Sequence, residues 1–168
     1  MANGLDWLLS ICDRQFVTME SEQLSIRLQR YLLRQIPISR ALDVSVERAD
    51  LNEILITAPL IPNVNHHGTA FGGSVSAVAI LSGWSLVYAR LEAEGQFPAI
   101  VIQHSEIRYL KPIEDTFAAR ARLAHPQKWT HFCESLSRHG KARTSITVEV
   151  EAAHGISALF RGTYVALR

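Results

Sequence analysis

The feature that most constrains this chain is a long stretch without charged side chains in the middle of the sequence. No Asp, Glu, Lys or Arg occurs between Gly68 and Ala89. A membrane-spanning helix needs about 20 apolar residues, but this stretch carries several glycines and serines and lies between strand-like segments. We therefore predict a helix from about Thr69 to Glu94 that is buried on all sides within a folded domain. Its bulky residues recur every three or four positions: Phe71, Val75, Val78, Leu81, Trp84, Tyr88 and Leu91.

The segments around this helix predict one amphipathic helix and several strands. Residues 21–35 place leucines on one face of a helix and arginines on the others. Two strands follow, the first around residues 42–46 and the second around residues 54–58. After the long helix, strands are predicted at 99–110, 116–124, 142–150 and 156–167, with a short helix or an irregular connection at 127–139. Consecutive strands without helices between them pair antiparallel. The predicted fold class is therefore α+β, with a long central helix wrapped by an antiparallel β-sheet.

Length, composition and charge predict a single domain. The chain has 168 residues, of which 48% are hydrophobic and 20% charged, as is usual for globular proteins. We interpret residues 1–18 as a loose N-terminal extension and residues 19–168 as the domain. The formal net charge of +1 gives no reason to expect nucleic acid as a partner. Cys12 and Cys133 form no CxxC pattern and no secretory signal is visible, which favours a reduced, cytoplasmic protein.

A glycine-rich turn at the start of the long helix is the candidate site for chemistry. Gly68, Gly72 and Gly73 let backbone N–H groups come close to a ligand. A helix N-terminus offers unpaired N–H groups and a positive dipole end, which stabilise an oxygen that gains negative charge. Asn65 can add an amide donor, and Thr69 could cap the helix or touch a substrate. Alternatively, Asn65 and Thr69 only form the turn and the cap, and the glycines serve close packing.

Three segments resemble the hotdog superfamily, in which a long helix is enclosed by an antiparallel sheet and two protomers pair. These are NHHGTAFGGSVSA, the run HSEIRYLKPI followed by DTFAARARL, and the terminal FRGTYVAL. The first is similar to the Asn-x-x-Gly-x-x-(His/Phe)-Gly-Gly turn of thioesterase-type members. The resemblance covers roughly residues 36–168. The first segment is the most specific, and within the superfamily the chain looks closest to a small bacterial group of thioesterase-like proteins that includes malonyl-acyl-carrier-protein decarboxylases.

This resemblance implies the substrate, the partners and the site. The substrate is a thioester of acyl carrier protein or coenzyme A, no cofactor is needed, and the protein is a homodimer or a dimer of dimers. Neither a membrane nor nucleic acid is implied. The implied catalytic residues are Asn65, His67 and Thr69. The implied substrate-binding residues are Gly68, Phe71, Gly72, Gly73 and Ser74.

The long helix departs from the thioesterase pattern because it lacks a carboxylate at the usual place. Many hotdog thioesterases use an Asp or Glu on this helix to activate water, near the position that Ile80 occupies here. The first acidic residue of this helix is Glu92, roughly 30 Å along the axis from Phe71 at 1.5 Å per residue. Glu92 therefore cannot serve the same end of the helix. Decarboxylation of a malonyl thioester, which needs no general base, fits these residues better than hydrolysis.

Three hypotheses follow for the function. The first is decarboxylation of malonyl-acyl carrier protein to acetyl-acyl carrier protein, the primer of fatty acid synthesis. The second is an acyl thioesterase that uses His67, or a water held by Asn65. The third is a non-catalytic module that binds acyl thioesters. Adjacent histidines such as His66 and His67 are more often solvated loop residues than bases, and the other histidines are too scattered to predict a metal site.

Basic residues are concentrated in the second half of the chain. Solvated strand faces explain most of them, but several of them together would suit the phosphate of a pantetheine arm or an acidic carrier protein. They are Arg108, Lys111, Arg120, Arg122, Lys128, Arg138, Lys141 and Arg143.

Overall fold

The structure is a computed structural model that describes residues 21–168. The interpretation of residues 1–18 as an extension therefore lies outside the described residues. The four helices are α1 (residues 21–35), α2 (Ile38–Ala41), α3 (Gly72–Ala93) and α4 (Trp129–His139). The six strands are β1 (Ser45–Ala49), β2 (Glu53–Ala58), β3 (Ala99–Tyr109), β4 (Phe117–Leu123), β5 (Lys141–Ala152) and β6 (Gly155–Leu167).

The strands form one antiparallel sheet in the order β1-β2-β4-β5-β6-β3. Strands β5 and β6 form the predicted hairpin, which turns at Gly155 with a positive φ of 88°. Strand β3 crosses over to the far side of β6 and forms one edge of the sheet. The long helix α3 packs against the sheet, which confirms the predicted α+β hotdog fold.

The small residues of α3 let the sheet approach the helix closely. A Cβ atom on Gly83 would overlap the hydroxyl group of Tyr164 in β6. The hydroxyl of Ser82 donates to the carbonyl of Ala119 in β4 at 2.9 Å and to that of Ile54 in β2 at 3.2 Å. Ser82 and Gly83 therefore act as packing residues between the helix and the sheet.

The other side of α3 is covered by α1. The Tyr31 ring of α1 packs on Trp84 and Tyr88 of α3, with ring centroids 5.5 and 4.7 Å apart. Arg27 of α1 forms an ion pair of 2.9 Å with Glu92. Among the described helices, α3 alone is long and apolar enough to cross a membrane, but 61% of its most apolar window is buried inside the fold. Such burial is expected of a core helix.

Two predicted boundaries are wrong. The first strand begins at Ser45 and not at residue 42, because the chain forms α2 and a turn before it. Helix α3 begins at Gly72 and not at Thr69. The residues before it are held in extended pairings: Ala70 bridges to Val64 and its amide donates to the Ile113 carbonyl at 2.8 Å.

Candidate active site

The chain reverses direction in a tight loop just before α3. The amide of Asn65 donates to the Thr69 carbonyl at 2.7 Å, and the amide of Gly68 donates to the Asn65 carbonyl at 3.1 Å. Gly68 has a φ of 80°, a left-handed conformation that side chains disfavour. Glycine is therefore required here for the turn itself.

The Asn65 side chain is the centre of this loop. Its Oδ1 accepts from the amide of His67 at 2.8 Å and from that of Thr69 at 3.3 Å. Its Nδ2 donates to Thr69 Oγ1 at 2.9 Å and, over a longer distance of 3.4 Å, to the Ala70 carbonyl. Asn65 therefore forms the turn, which was one of the two roles expected for it from the sequence. Thr69 accepts from Asn65 and does not cap α3, whose N-cap residue is Phe71.

The first turn of α3 presents three backbone N–H groups side by side. The N–H of Phe71 donates to the Asn63 carbonyl at 2.7 Å, and the N–H of Val75 donates to the Phe71 carbonyl at 3.1 Å. The three intervening amides, those of Gly72, Gly73 and Ser74, have no hydrogen-bond acceptor within residues 21–168. With the positive end of the helix dipole, they can stabilise an oxygen that becomes negative in a reaction.

Two aromatic side chains flank these amides. The Phe71 ring, which is 58% exposed, lies directly against Gly73 and would overlap a Cβ atom there. The Tyr109 hydroxyl, at the end of β3, donates to the Gly72 carbonyl at 2.7 Å. A Cβ atom on Gly72 would lie 3.2 Å from that hydroxyl. A side chain at Gly73 would therefore displace the Phe71 ring, and one at Gly72 would crowd the Tyr109 hydroxyl.

A cleft of about 360 Å³ opens beside this turn. Its apolar lining includes Ala70, Val75 and Ile113, and its polar rim includes Tyr109 and Lys111. Among residues 21–168, no Asp or Glu lines the cleft, so within this part of the chain no strand carboxylate stands in for the one that the helix lacks. A larger groove between α1 and β1 shares no residue with this cleft or with the glycine turn.

Several apolar side chains around the turn are exposed. Ile61, Val64, Phe71, Tyr109 and Leu110 are each between 46% and 82% exposed. An apolar patch of this kind, next to free backbone donors, is typical of a surface that binds a ligand or a second protein chain.

The histidines of the loop lie at the surface. His66 and His67 are exposed, and their rings lie 3.8 Å apart. In the part of the chain that the structure describes, no three His, Cys, Asp or Glu side chains come together as metal ligands would. Glu92 lies at the opposite end of α3, in its ion pair with Arg27.

The basic residues do not gather at the glycine turn, apart from Lys111. Arg120 and Arg122 each form an ion pair of 2.6 Å with Glu53. A hydrogen bond to Glu151, with the nearby charge of Glu53, raises the pKa of Arg120 above its ordinary value. Together with Arg108 and Arg161, these arginines line a separate cavity of about 410 Å³ that shares no residue with the cleft.

Sequence reasoning missed two contributors to the site and did not single out a third, Lys111, among the basic residues. Asn63 is buried, and its Nδ2 donates to the carbonyls of Leu42 and Pro59 at 2.9 and 2.7 Å, which anchors the loop. Tyr109 was only part of a strand pattern, and Lys111 only one of many basic residues. A tyrosine and a lysine at the end of a strand carry no signal for a helix that is distant in sequence.

Known proteins are similar to this chain over most of its length. The model of the family described as "Putative thioesterase (yiiD_Cterm)" matches residues 25–168. The crystal structure of a protein of unknown function from Chlorobaculum tepidum TLS is 27% identical with a TM-score of 0.82, covering 88% of this chain and 96% of that one. A "putative thioesterase" from Shewanella oneidensis is 28% identical with a TM-score of 0.75, covering 88% and 99%. A thioesterase from Haemophilus influenzae shares the fold at 15% identity and a TM-score of 0.67, covering 85% and 90%.

Proposed function

Because this chain belongs to the family described as "Putative thioesterase (yiiD_Cterm)", we propose that it is an enzyme of acyl thioesters that decarboxylates malonyl-acyl carrier protein. The product, acetyl-acyl carrier protein, is a primer for fatty acid synthesis. The observation that supports this reaction is the row of free amides at Gly72, Gly73 and Ser74 beside a cleft without a carboxylate.

The reaction needs a stabilised oxygen and no base. The bond between the malonyl carboxylate and its α-carbon breaks, and its electron pair moves into the thioester carbonyl to form an enolate. Carbon dioxide leaves, and the α-carbon then takes a proton from water to give the acetyl thioester. The amides of the first turn of α3 can donate to the enolate oxygen, where the negative charge develops. Val75 and Ile113 give the cleft an apolar wall that does not solvate the departing carboxylate, and Lys111, the one cation in its lining, is exposed to solvent.

Asn65 can add a donor at little cost. Its contact with the Ala70 carbonyl is 3.4 Å long, beyond the usual length of about 2.7–3.2 Å for an N–H···O bond. Replacing this weak contact by a bond to a thioester oxygen loses little energy. Its other hydrogen bonds, to His67 and Thr69, keep the amide in place meanwhile.

Hydrolysis of an acyl thioester is the second candidate. It is favoured by the family description and by the exposed His67, a residue type that serves as a general base in many enzymes. The same amides would stabilise the tetrahedral oxyanion, and coenzyme A could replace the carrier protein. A non-catalytic acyl-thioester-binding module is the third candidate.

We also propose that the protein is a cytoplasmic homodimer or dimer of dimers. Strand β3 runs for 11 residues along the edge of the sheet, and many of its side chains are exposed. A long free edge is a template for pairing with a second strand. Antiparallel pairing of β3 with β3 of a second copy would join the two sheets. It would also bring the exposed Phe97 and Val101 near the Tyr109 end of the other copy.

The test is incubation with malonyl-acyl carrier protein, followed by intact mass spectrometry of the carrier. Loss of carbon dioxide with the acetyl group retained is the expected result. Release of the free carrier thiol would contradict decarboxylation and show that the enzyme hydrolyses the thioester. An unchanged carrier that nevertheless binds the protein would favour the non-catalytic module.

A further inference from the structure

We infer that Tyr109 is a positioning residue that orients the N–H of Gly73 as a donor to the reacting oxygen. This inference rests on the proposed function, because it concerns the same oxyanion. Its structural basis is the hydrogen bond of 2.7 Å from the Tyr109 hydroxyl to the carbonyl of Gly72.

The carbonyl of Gly72 and the N–H of Gly73 belong to one rigid peptide plane. Because the peptide bond is planar and trans, the two groups point in opposite directions and rotate together. A bond that holds the carbonyl therefore also fixes the direction of the N–H. A hydrogen bond at the carbonyl polarises the whole amide as well, which strengthens the N–H as a donor.

This peptide needs such support because it lies where the helix is weakest. The first turn of α3 contains two consecutive glycines, and no side chain caps it. Glycine has the greatest backbone freedom of any residue, so the Tyr109 bond restrains the plane in addition to the bond that the helix itself makes to the Gly72 carbonyl. Phe71 packs against Gly73, and Tyr109 touches Gly72, so that the two rings hold the peptide.

Tyr109 is well placed to remain a donor. Burial raises the pKa of its phenol above the ordinary value, so the hydroxyl keeps its proton at neutral pH. Its backbone is held in β3, where Tyr109 pairs with Ala158 of β6. The hydroxyl is thus fixed by the sheet, and the sheet in turn fixes the start of the helix.

The chain supplies a matched control on the same helix. The hydroxyl of Tyr164 in β6 donates to the carbonyl of Ile80 in the middle of α3 at 2.8 Å. Tyr164 is fully buried, whereas Tyr109 is 53% exposed. Tyr109→Phe and Tyr164→Phe each remove one phenol-to-carbonyl bond to α3, but only the first lies at the amides of the site.

The experiment measures kcat, KM and Tm for both variants with malonyl-acyl carrier protein. We expect Tyr109→Phe to lower kcat about 10- to 100-fold, somewhat less than loss of a whole oxyanion donor, with KM and Tm almost unchanged. Tyr164→Phe should lower Tm and leave kcat within about twofold. Wild-type kcat in Tyr109→Phe, or a fall in Tm without a fall in kcat, would overturn the inference.

A spectroscopic readout separates this inference from the proposed function. The infrared band of a ¹³C-labelled acetyl group on carrier protein should shift to lower frequency on binding, because donors polarise its carbonyl. The shift should be smaller with Tyr109→Phe and unchanged with Tyr164→Phe. A wild-type protein that fails to decarboxylate would contradict the proposed reaction alone, whereas equal shifts in wild type and Tyr109→Phe would contradict the role of Tyr109.

Discussion

Asn65 holds Thr69 at two points: its Oδ1 accepts from the Thr69 amide at 3.3 Å, and its Nδ2 donates to the Thr69 hydroxyl at 2.9 Å. One side chain therefore both forms the loop and carries the candidate donor. The two roles overlap only at Nδ2, which also donates to the Thr69 hydroxyl. The oxygen organises the turn through His67 and Thr69, and the nitrogen is the group that could reach a substrate.

Asn65→Ala and Asn65→Asp test this division. Both variants lose the N–H donor, so turnover of malonyl-acyl carrier protein should fall at least about 100-fold in each. Asp keeps an oxygen that accepts from the turn amides, so its Tm should stay near that of wild type, while Ala should lose about 1 kcal/mol of stability. Initial rates and thermal unfolding provide the measurements. Near wild-type rates in either variant would remove the Asn65 amide from the mechanism.

Glu53→Gln should destabilise the fold without affecting the site. The Glu53 carboxylate is only 11% exposed and pairs with both Arg120 and Arg122. Removing its charge weakens two short ion pairs, which should cost about 1–3 kcal/mol in urea unfolding. Arg48→Gln is the control, because its pair with Asp50 is largely exposed and should contribute about 0.5 kcal/mol or less. An equal loss of unfolding free energy in both variants would contradict the expectation that burial makes the Glu53 ion pairs more stabilising than the exposed pair.

Lys111→Glu should weaken recognition of the carrier protein. Lys111 lines the cleft at the glycine turn, where an acidic carrier or the phosphate of its pantetheine arm would approach. We expect KM for malonyl-acyl carrier protein to rise about tenfold, and less so at high salt. Lys128→Glu, away from the cleft, should change KM little. Malonyl-pantetheine lacks both the carrier and the phosphate. If its KM rises as much in Lys111→Glu, Lys111 acts on the acyl group and not on the carrier.

Val101→Lys should break the proposed dimer. Val101 lies exposed on edge strand β3, and lysine on an edge strand discourages pairing with another strand. Sedimentation equilibrium should find a dimer for wild type and a monomer for the variant, with activity reduced in proportion. Ile38→Lys, an equally exposed position on α2, should remain dimeric. A wild-type protein that sediments as a monomer would refute the pairing.

Cys133 should react slowly with alkylating reagents. Burial raises the pKa of this thiol, and the charge of Glu94 adds to the effect. The thiolate is the reactive form. At about pH 8 a smaller fraction of Cys133 than of free cysteine is thiolate, so its alkylation should be slower and should speed up at higher pH. Peptide mass spectrometry after timed iodoacetamide treatment measures Cys133 separately from Cys12. Labelling as fast as that of free cysteine would contradict this effect of burial.

Local sequence patterns predict most of the helices and strands of this protein and mark the turn that holds its candidate site. The uncharged stretch predicted a core helix, and alternation within residues 142–150 predicted β5, because side-chain periodicity follows directly from local backbone geometry. The glycines and Asn65 marked the turn, since their conformational and hydrogen-bonding properties are also local.

The tertiary structure alone decided what meets that turn. Tyr109 follows Gly72 by 37 residues, and only the crossover of β3 to the sheet edge brings its hydroxyl to the helix. Thr69 fits a helix by sequence, yet the bridge between Val64 and Ala70 keeps it outside α3. Likewise, Arg120 and Arg122 form ion pairs with Glu53, so their charges are already partnered within the fold. Each of these outcomes depends on contacts between distant segments, which periodicity does not encode.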